Sequence, residues 1–108
     1  MNQNLSNVLI HHQFILKNTQ NIDTSLYTKM KTITIILGED AKSQKYLVIF
    51  SFAKSKILMK NIIDIEKIFL NINKDILCKK NIFFHKAMIC SKVQNYLNLK
   101  GIKNYAFV

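Results

Sequence analysis

The chain has 108 residues, no arginine, 16 lysines and a formal net charge of +10 at pH 7. This length favours a single domain, and a hydrophobic content of 49% indicates a folded chain rather than a disordered one. The uncharged apolar runs are far too short to cross a bilayer, so we expect no membrane partner.

The positive charge is concentrated in the second half of the chain. Residues 1–53 carry five lysines and three carboxylates, whereas residues 54–108 carry eleven lysines and three carboxylates. This imbalance predicts a polyanionic partner. Because lysine acts on phosphate as a point charge, the composition favours recognition of a nucleic-acid backbone over the reading of bases. The alternative is a basic surface that only reflects the codon usage of an AT-rich genome.

The first third of the chain gives weak structural signals. Residues 1–13 are mostly polar and are interpreted as a mobile arm or a loosely docked extension. Residues 14–16 predict a short strand. Residues 26–37 are ambiguous, because apolar residues recur at helical spacing while Thr32–Ile36 is a β-branched run typical of a strand. We favour the helix, which Gly38 would end.

The clearest signals follow in the middle of the chain. Two apolar runs, Tyr46–Phe52 and Lys56–Ile63, flank a short polar turn and predict a β-hairpin. A helix is predicted from Ile65 to Lys80, with Asp64 as its N-cap. The buried stripe of this helix would consist of Ile65, Ile68, Phe69, Ile72 and Ile76.

The last part of the chain predicts two further strands. Residues 82–90 are interpreted as one strand and residues 96–99 as the last one, with a helix over 91–99 as the alternative. Residues 103–108 would form a tail. The predicted fold class is α+β, with a small, mostly antiparallel sheet and two helices packed on one face. One domain would span residues 14–102.

Several short motifs in this domain resemble the eukaryote-specific ribosomal protein twenty-two of the large subunit. Lys54-Ser55-Lys56-Ile57 matches the hairpin turn of that family, Lys79-Lys80-Asn81 the end of its basic helix, and Leu99-Lys100 its last strand. The resemblance implies a structural, non-enzymatic component of the large ribosomal subunit in the cytoplasm. Its partners would be rRNA and neighbouring ribosomal proteins.

Seven lysines form the predicted RNA-binding site. A hairpin tip, the outward face of a helix and the end of that helix would present them to the phosphates and 2′-hydroxyls of duplex RNA. A nucleic-acid-binding module outside the ribosome and a basic protein–protein adaptor are the alternatives. The predicted site consists of Lys54, Lys56, Lys60, Lys67, Lys74, Lys79 and Lys80.

Other residue types give no signal for chemistry. Cys78, His85 and Cys90 do not have the spacing of a zinc site, and two cysteines do not make a secreted disulfide framework. The six carboxylates are scattered, and no glycine-rich phosphate loop is present. We therefore predict no metal, no cofactor, no small-molecule substrate and no catalytic residue, in a reduced intracellular protein.

Overall fold

A five-stranded sheet organises the chain in the computed structural model, which describes residues 3–107. The predicted fold class, a small α+β domain, is confirmed. No helix within the described range is long and apolar enough to cross a membrane. The elements are helix α1 (Gln3–His11), strands β1 (Lys17–Ile22), β2 (Ile33–Glu39) and β3 (Lys45–Ser51), helix α2 (Met59–Asp75), strand β4 (Lys80–His85), helix α3 (Ser91–Leu99) and strand β5 (Ile102–Ala106).

The strands lie in the sheet in the order in which they occur in the chain, β1 to β5. The first three form an antiparallel meander. β3 then pairs with β4, and β4 with β5, in parallel. Each parallel connection passes through a helix, α2 or α3, because parallel neighbours cannot be joined by a tight turn. The sheet is therefore mixed, with more parallel pairing than the sequence predicted.

Helices cover both faces of the sheet. α2 and α3 pack on one face, and α1 packs on the other. Along β3, Leu47 and Ile49 belong to the core under α2, whereas Val48 and Phe50 belong to the core under α1. Strands that are buried on both faces have continuous apolar runs. This explains why the segment gave a strong strand signal without clear alternation of polar residues.

The predicted helix over residues 26–37 is wrong, since most of its second half lies in β2. Alternate residues from Ile33 to Leu37 belong to the α2-side core, which is the period of two of a strand. The helical spacing of the apolar residues in this segment is coincidental. Gly38 lies inside β2, where an added Cβ would come within 3.0 Å of the Leu16 side chain. Close packing therefore accounts for this glycine.

The predicted hairpin with Lys54–Lys56 at its tip is also wrong. β3 is followed by α2, which begins at Met59, so most of the second apolar run, residues 59–63, belongs to the helix. The Asn61 side chain accepts a hydrogen bond from the backbone N–H of Leu58 at 3.0 Å and closes the first turn. Asp64 is consequently an internal helix residue and not the N-cap. Ile57 and Leu58, the two apolar residues directly before Met59, concealed the start of the helix.

The two ends of the described chain contribute to the core. α1 lies in the segment interpreted as an arm, and Leu5 and Leu9 on its inner face are buried. They pack in the same cluster as Phe107, which follows β5 in the segment interpreted as a tail. The predicted strand over 96–99 is wrong and the alternative helix is confirmed. That helix, α3, is followed by Gly101 with a left-handed φ of 73°.

Replacing Leu9 with alanine tests whether α1 is part of the folded core. Leu9 is 1% exposed, so its truncation leaves a cavity between α1 and the sheet. We expect the free energy of unfolding to fall by about 2–5 kcal/mol, measured by urea denaturation. Ile10→Ala is the matched control, because Ile10 is 57% exposed and its loss should cost below about 0.5 kcal/mol. Equal unfolding midpoints for the two variants would contradict the docking of α1.

Candidate nucleic-acid interface

The parallel strands end at one edge of the sheet, which we name the carboxyl-end edge. β3, β4 and β5 run in the same direction, so the segments that follow them lie at this edge, together with the first turns of α2 and α3. The antiparallel β2 begins there. Backbone hydrogen bonds join the segments, from Phe52 N–H to the Thr32 carbonyl (2.7 Å) and from Lys86 N–H to the Ser51 carbonyl (3.2 Å).

The carboxyl-end edge is strongly basic. It is formed by Asp23 and by residues 29–32, 52–62 and 86–94, which together contain seven lysines and a single carboxylate, that of Asp23. Seven positive charges and one negative charge give the edge +6 of the net +10 of the chain. All seven lysines are exposed. They are Lys29, Lys31, Lys54, Lys56, Lys60, Lys86 and Lys92.

Two helix N-termini add to the positive potential of this edge. α2 and α3 have no acidic residue in their first turns, so the unpaired N–H groups of these turns are not neutralised. The N-terminus of α3 acts on Cys90, which precedes this helix. The backbone N–H of Val93, that of Lys92 and the charge of Lys56 lower the pKa of the Cys90 thiol, although partial burial raises it. The edge therefore favours negatively charged groups.

The structure divides the seven lysines that were predicted to bind RNA. Lys54, Lys56 and Lys60 lie at the carboxyl-end edge. Lys79 and Lys80 lie at the opposite edge, where β4 begins, and the six residues of β4 separate the two groups by about 20 Å. The other two, on the exposed surface of α2, are Lys67 and Lys74. One nucleic-acid segment bound at a single edge would contact only one of these groups.

Sequence reasoning missed Lys29, Lys31, Lys86 and Lys92. The first two precede β2, which was interpreted as a helix, and the others follow β4 and begin α3. A signal was available in the order strand, helix, strand over residues 46–90, which is typical of a parallel crossover. A crossover would have brought the end of β3 and the end of β4 to the same edge.

Two of the three carboxylates of α2, those of Glu66 and Asp75, have structural partners. Glu66 accepts a hydrogen bond from the Tyr96 hydroxyl at 2.6 Å and lies 3.7 Å from the Lys100 ammonium, which joins α2 to α3. Asp75 accepts a hydrogen bond from the Tyr27 hydroxyl at 3.1 Å. Within residues 3–107, no group of three or more His, Cys, Asp or Glu residues is placed to hold a metal ion.

The fold is similar to that of known endonucleases. EndoMS in its apo form matches with a TM-score of 0.60 and 9% sequence identity, over 96% of this chain and 44% of that chain. A repair endonuclease from Pyrococcus abyssi has a TM-score of 0.56 and 7% identity, over 95% and 45% of the two chains. EndoMS in complex with double-stranded DNA has a TM-score of 0.55 and 8% identity, over 95% and 42%.

This chain therefore spans less than half the length of the structures it resembles. No protein-family model matches it, and no curated protein matches it in sequence. At sequence identities below 10%, the similarity establishes the fold of this chain and does not establish its activity.

The assignment to the large-subunit ribosomal protein twenty-two family is wrong. The similar folds are those of EndoMS and a repair endonuclease, and one of them is bound to double-stranded DNA rather than to rRNA and ribosomal proteins. The expectation of a structural, non-enzymatic ribosomal component is overturned with it. The motifs misled because they occupy other elements, since Lys54–Ile57 precedes α2, Lys79–Asn81 enters β4 and Leu99–Lys100 ends α3.

His85 makes the stability of this edge dependent on pH. It is 5% exposed, and its Nδ1 shares a hydrogen bond of 2.9 Å with the Ala87 carbonyl. Burial lowers the pKa of His85 below 6.5, which outweighs the opposing effect of the bond to Ala87. The unfolded chain therefore binds this proton more readily. The contribution of His85 to stability is complete above about pH 6.5 and decreases as the pH falls below that value.

We expect the melting temperature to fall between pH 7.5 and pH 5.5, and to fall less in a His85→Gln variant, whose amide can still donate to Ala87. Burial and the neighbouring His11 also lower the pKa of His12. Both proteins should therefore carry His12→Gln, so that their difference isolates His85. Parallel pH profiles of the two proteins, measured by circular dichroism, would show that His85 is not responsible.

Proposed function

We propose that this chain binds double-stranded DNA through the carboxyl-end edge. The proposal rests on one observation: seven exposed lysines and the N-termini of two helices lie together at this edge. Neither helix has an acidic residue in its first turn. The similarity to a DNA-bound structure of EndoMS supports duplex DNA as the ligand. The lysines supply the attraction to phosphate, because each contact releases condensed counterions.

The shape of the edge suits a phosphate backbone. A shallow groove of about 350 Å³ lies between the segments that follow β3 and β4. Lys54 and Lys56 line one side of it, and Met88, Ile89 and Cys90 line the other. Phosphates would lie against the two lysines, with sugars over the apolar side. Because such contacts do not read base edges, we expect weak sequence preference.

The spacing of the lysines favours a duplex over a single strand. Lys31 precedes β2 and Lys86 follows β4, and two strand spacings, about 10 Å, separate the ends of these strands. The major groove of B-DNA is about 12 Å wide. Lysines on the two sides of the edge can therefore reach the phosphates of both strands at once.

Cleavage of DNA is the second candidate function, and the similarity to endonucleases favours it. Since residues 3–107 bring no three metal-ligating side chains together, cleavage would need a different arrangement or a partner. Incubating a labelled duplex with the protein and Mg²⁺ tests this function. Protein-dependent nicks would support it, whereas an intact duplex at protein excess would restrict the proposal to binding.

The proposal of DNA binding is tested with two variants of equal charge. The edge variant replaces Lys31, Lys54, Lys56 and Lys92 with glutamine. We expect its affinity for a short labelled duplex to fall at least tenfold. The slope of log affinity against log salt concentration should decrease by about 3–4, since each phosphate contact contributes about 0.9. Fluorescence anisotropy at several salt concentrations measures both quantities.

The control variant removes the same charge away from the edge. It replaces four other exposed lysines with glutamine, and its affinity and salt dependence should stay close to those of the wild-type protein. Equal losses in the two variants would show that net charge, and not the carboxyl-end edge, determines binding. The control positions are Lys42, Lys67, Lys79 and Lys103.

A further inference from the structure

A second groove, which we name the α1 groove, lies between α1 and the sheet on the face opposite α2. Its volume is about 660 Å³, within the range of small-molecule sites, about 300–1,000 Å³. Leu5 and Val8 of α1 line one side. Phe52 and Phe107 line the other, with ring centroids 5.6 Å apart and planes nearly perpendicular. This lining offers an apolar, aromatic surface to a flat group.

The polar lining of the α1 groove is basic. His11 ends α1 and His12 follows it on one side, and Lys86 follows β4 on the other. The Lys86 ammonium lies 6.0 Å from the centroid of the Phe52 ring, so the cation and the aromatic surface are adjacent. Among the described residues that line the groove there is no Asp or Glu. The groove is therefore complementary to an anion with a flat apolar body.

His12 can adjust its charge to such a ligand. Its ring lies 4.9 Å from the ring of Tyr105 and 5.1 Å from that of Phe84, measured between centroids. Burial and then the neighbouring His11 lower the pKa of His12. The ionisable groups around it are His11 on α1, Tyr105 on β5 and Lys86 beyond β4, none of them acidic. A bound phosphate would supply the missing negative charge and favour protonation of His12.

We infer that the α1 groove binds a nucleoside monophosphate, with the base against Phe52 and Phe107 and the phosphate between His12 and Lys86. A free nucleotide and the terminal nucleotide of a DNA strand share this chemistry. The first source is independent of the proposed function. The second rests on it, because Lys86 belongs to both the α1 groove and the carboxyl-end edge, and a strand end could pass from one to the other.

The test uses the full chain and adenosine 5′-monophosphate as the probe, followed by amide chemical shifts. We expect saturable shifts in α1 and in residues 105–107, with adenosine alone and inorganic phosphate alone each binding at least tenfold more weakly. Affinity for the probe should be higher at pH 6.5 than at pH 8, because His12 takes up a proton. Below pH 6.5 the phosphate of the probe is itself protonated, since its second pKa is about 6. Failure of the probe to bind, or binding no tighter than inorganic phosphate, would overturn the inference.

Variants test whether the probe binds to the α1 groove itself or to any positively charged surface of the protein. His12→Gln and Lys86→Gln together should weaken binding of the probe at least fivefold. His12→Gln alone should remove the rise in affinity between pH 8 and pH 6.5. Lys103→Gln is the matched control, because Lys103 is exposed on β5 and does not line the α1 groove. Amide spectra confirm that each variant is folded. Equal affinity in the double variant and the control would contradict the inference.

Two comparisons distinguish a free nucleotide from a strand end as the ligand, and nucleotide binding in the α1 groove from DNA binding at the carboxyl-end edge. The first comparison is between a blunt duplex and a duplex with a 5′-phosphorylated single-stranded overhang. If the overhang duplex binds tighter and the probe displaces it, the ligand of the α1 groove is the end of a DNA strand. If both duplexes bind equally and the probe still binds to the protein, the ligand of the α1 groove is a free nucleotide. The edge variant should retain its affinity for the probe. Loss of duplex binding and loss of nucleotide binding can therefore be observed separately.

Discussion

The parallel pairing of β3 with β4 is the constraint on which the rest of the structure depends. Because the two strands run in the same direction, the chain must return across one face of the sheet, and α2 makes that return. The helix buries its apolar stripe, and its first turn lies beside the end of β4. A second crossover through α3 repeats the arrangement. A hairpin in place of α2 would have left Lys54 and Lys56 far from Lys86 and Lys92.

The same constraint separates stability from function. β3 and β4 are buried on both faces, and Phe50 and Phe84 stack on the α1 side with centroids 5.0 Å apart and planes 11° apart. Dense packing of this kind holds the ends of the strands in fixed positions. The lysines of the carboxyl-end edge are exposed and contribute little to that packing. Replacing them should therefore alter binding while leaving the fold intact.

The sequence predicted the elements whose apolar residues repeat over many positions. β3 has a long apolar run, and α2 has a stripe from Ile62 to Ile72 at helical spacing. The elements with few apolar residues were missed, since α1 depends on Leu5 and Leu9 and β5 has five residues. β2 was misassigned because strand and helix spacings coincide over a short segment. Local patterns indicated the type of an element only where its apolar residues repeat over many positions, and they did not indicate its partner.

The sequence predicted a lysine site but not which lysines lie together, and its prediction of rRNA as the partner was wrong. An excess of lysine in the sequence indicated a polyanionic partner, in agreement with the proposed binding of DNA. Which lysines converge depends on the direction of each strand, and that direction is set by long-range pairing. Lys79 and Lys80 are close to Lys74 in the chain but lie far from Lys54 in the fold. Short lysine-rich motifs were for the same reason poor evidence of family membership.

Chemical-shift mapping of the wild-type protein with a short DNA duplex shows directly which edge of the sheet binds DNA. We expect the largest changes in amide shift in residues 29–32, 53–57 and 86–93, at the carboxyl-end edge. Residues 40–44 and 77–80, at the opposite edge, should change little. Changes concentrated at the opposite edge, or the absence of saturable changes at either edge, would contradict the proposed binding of DNA at the carboxyl-end edge.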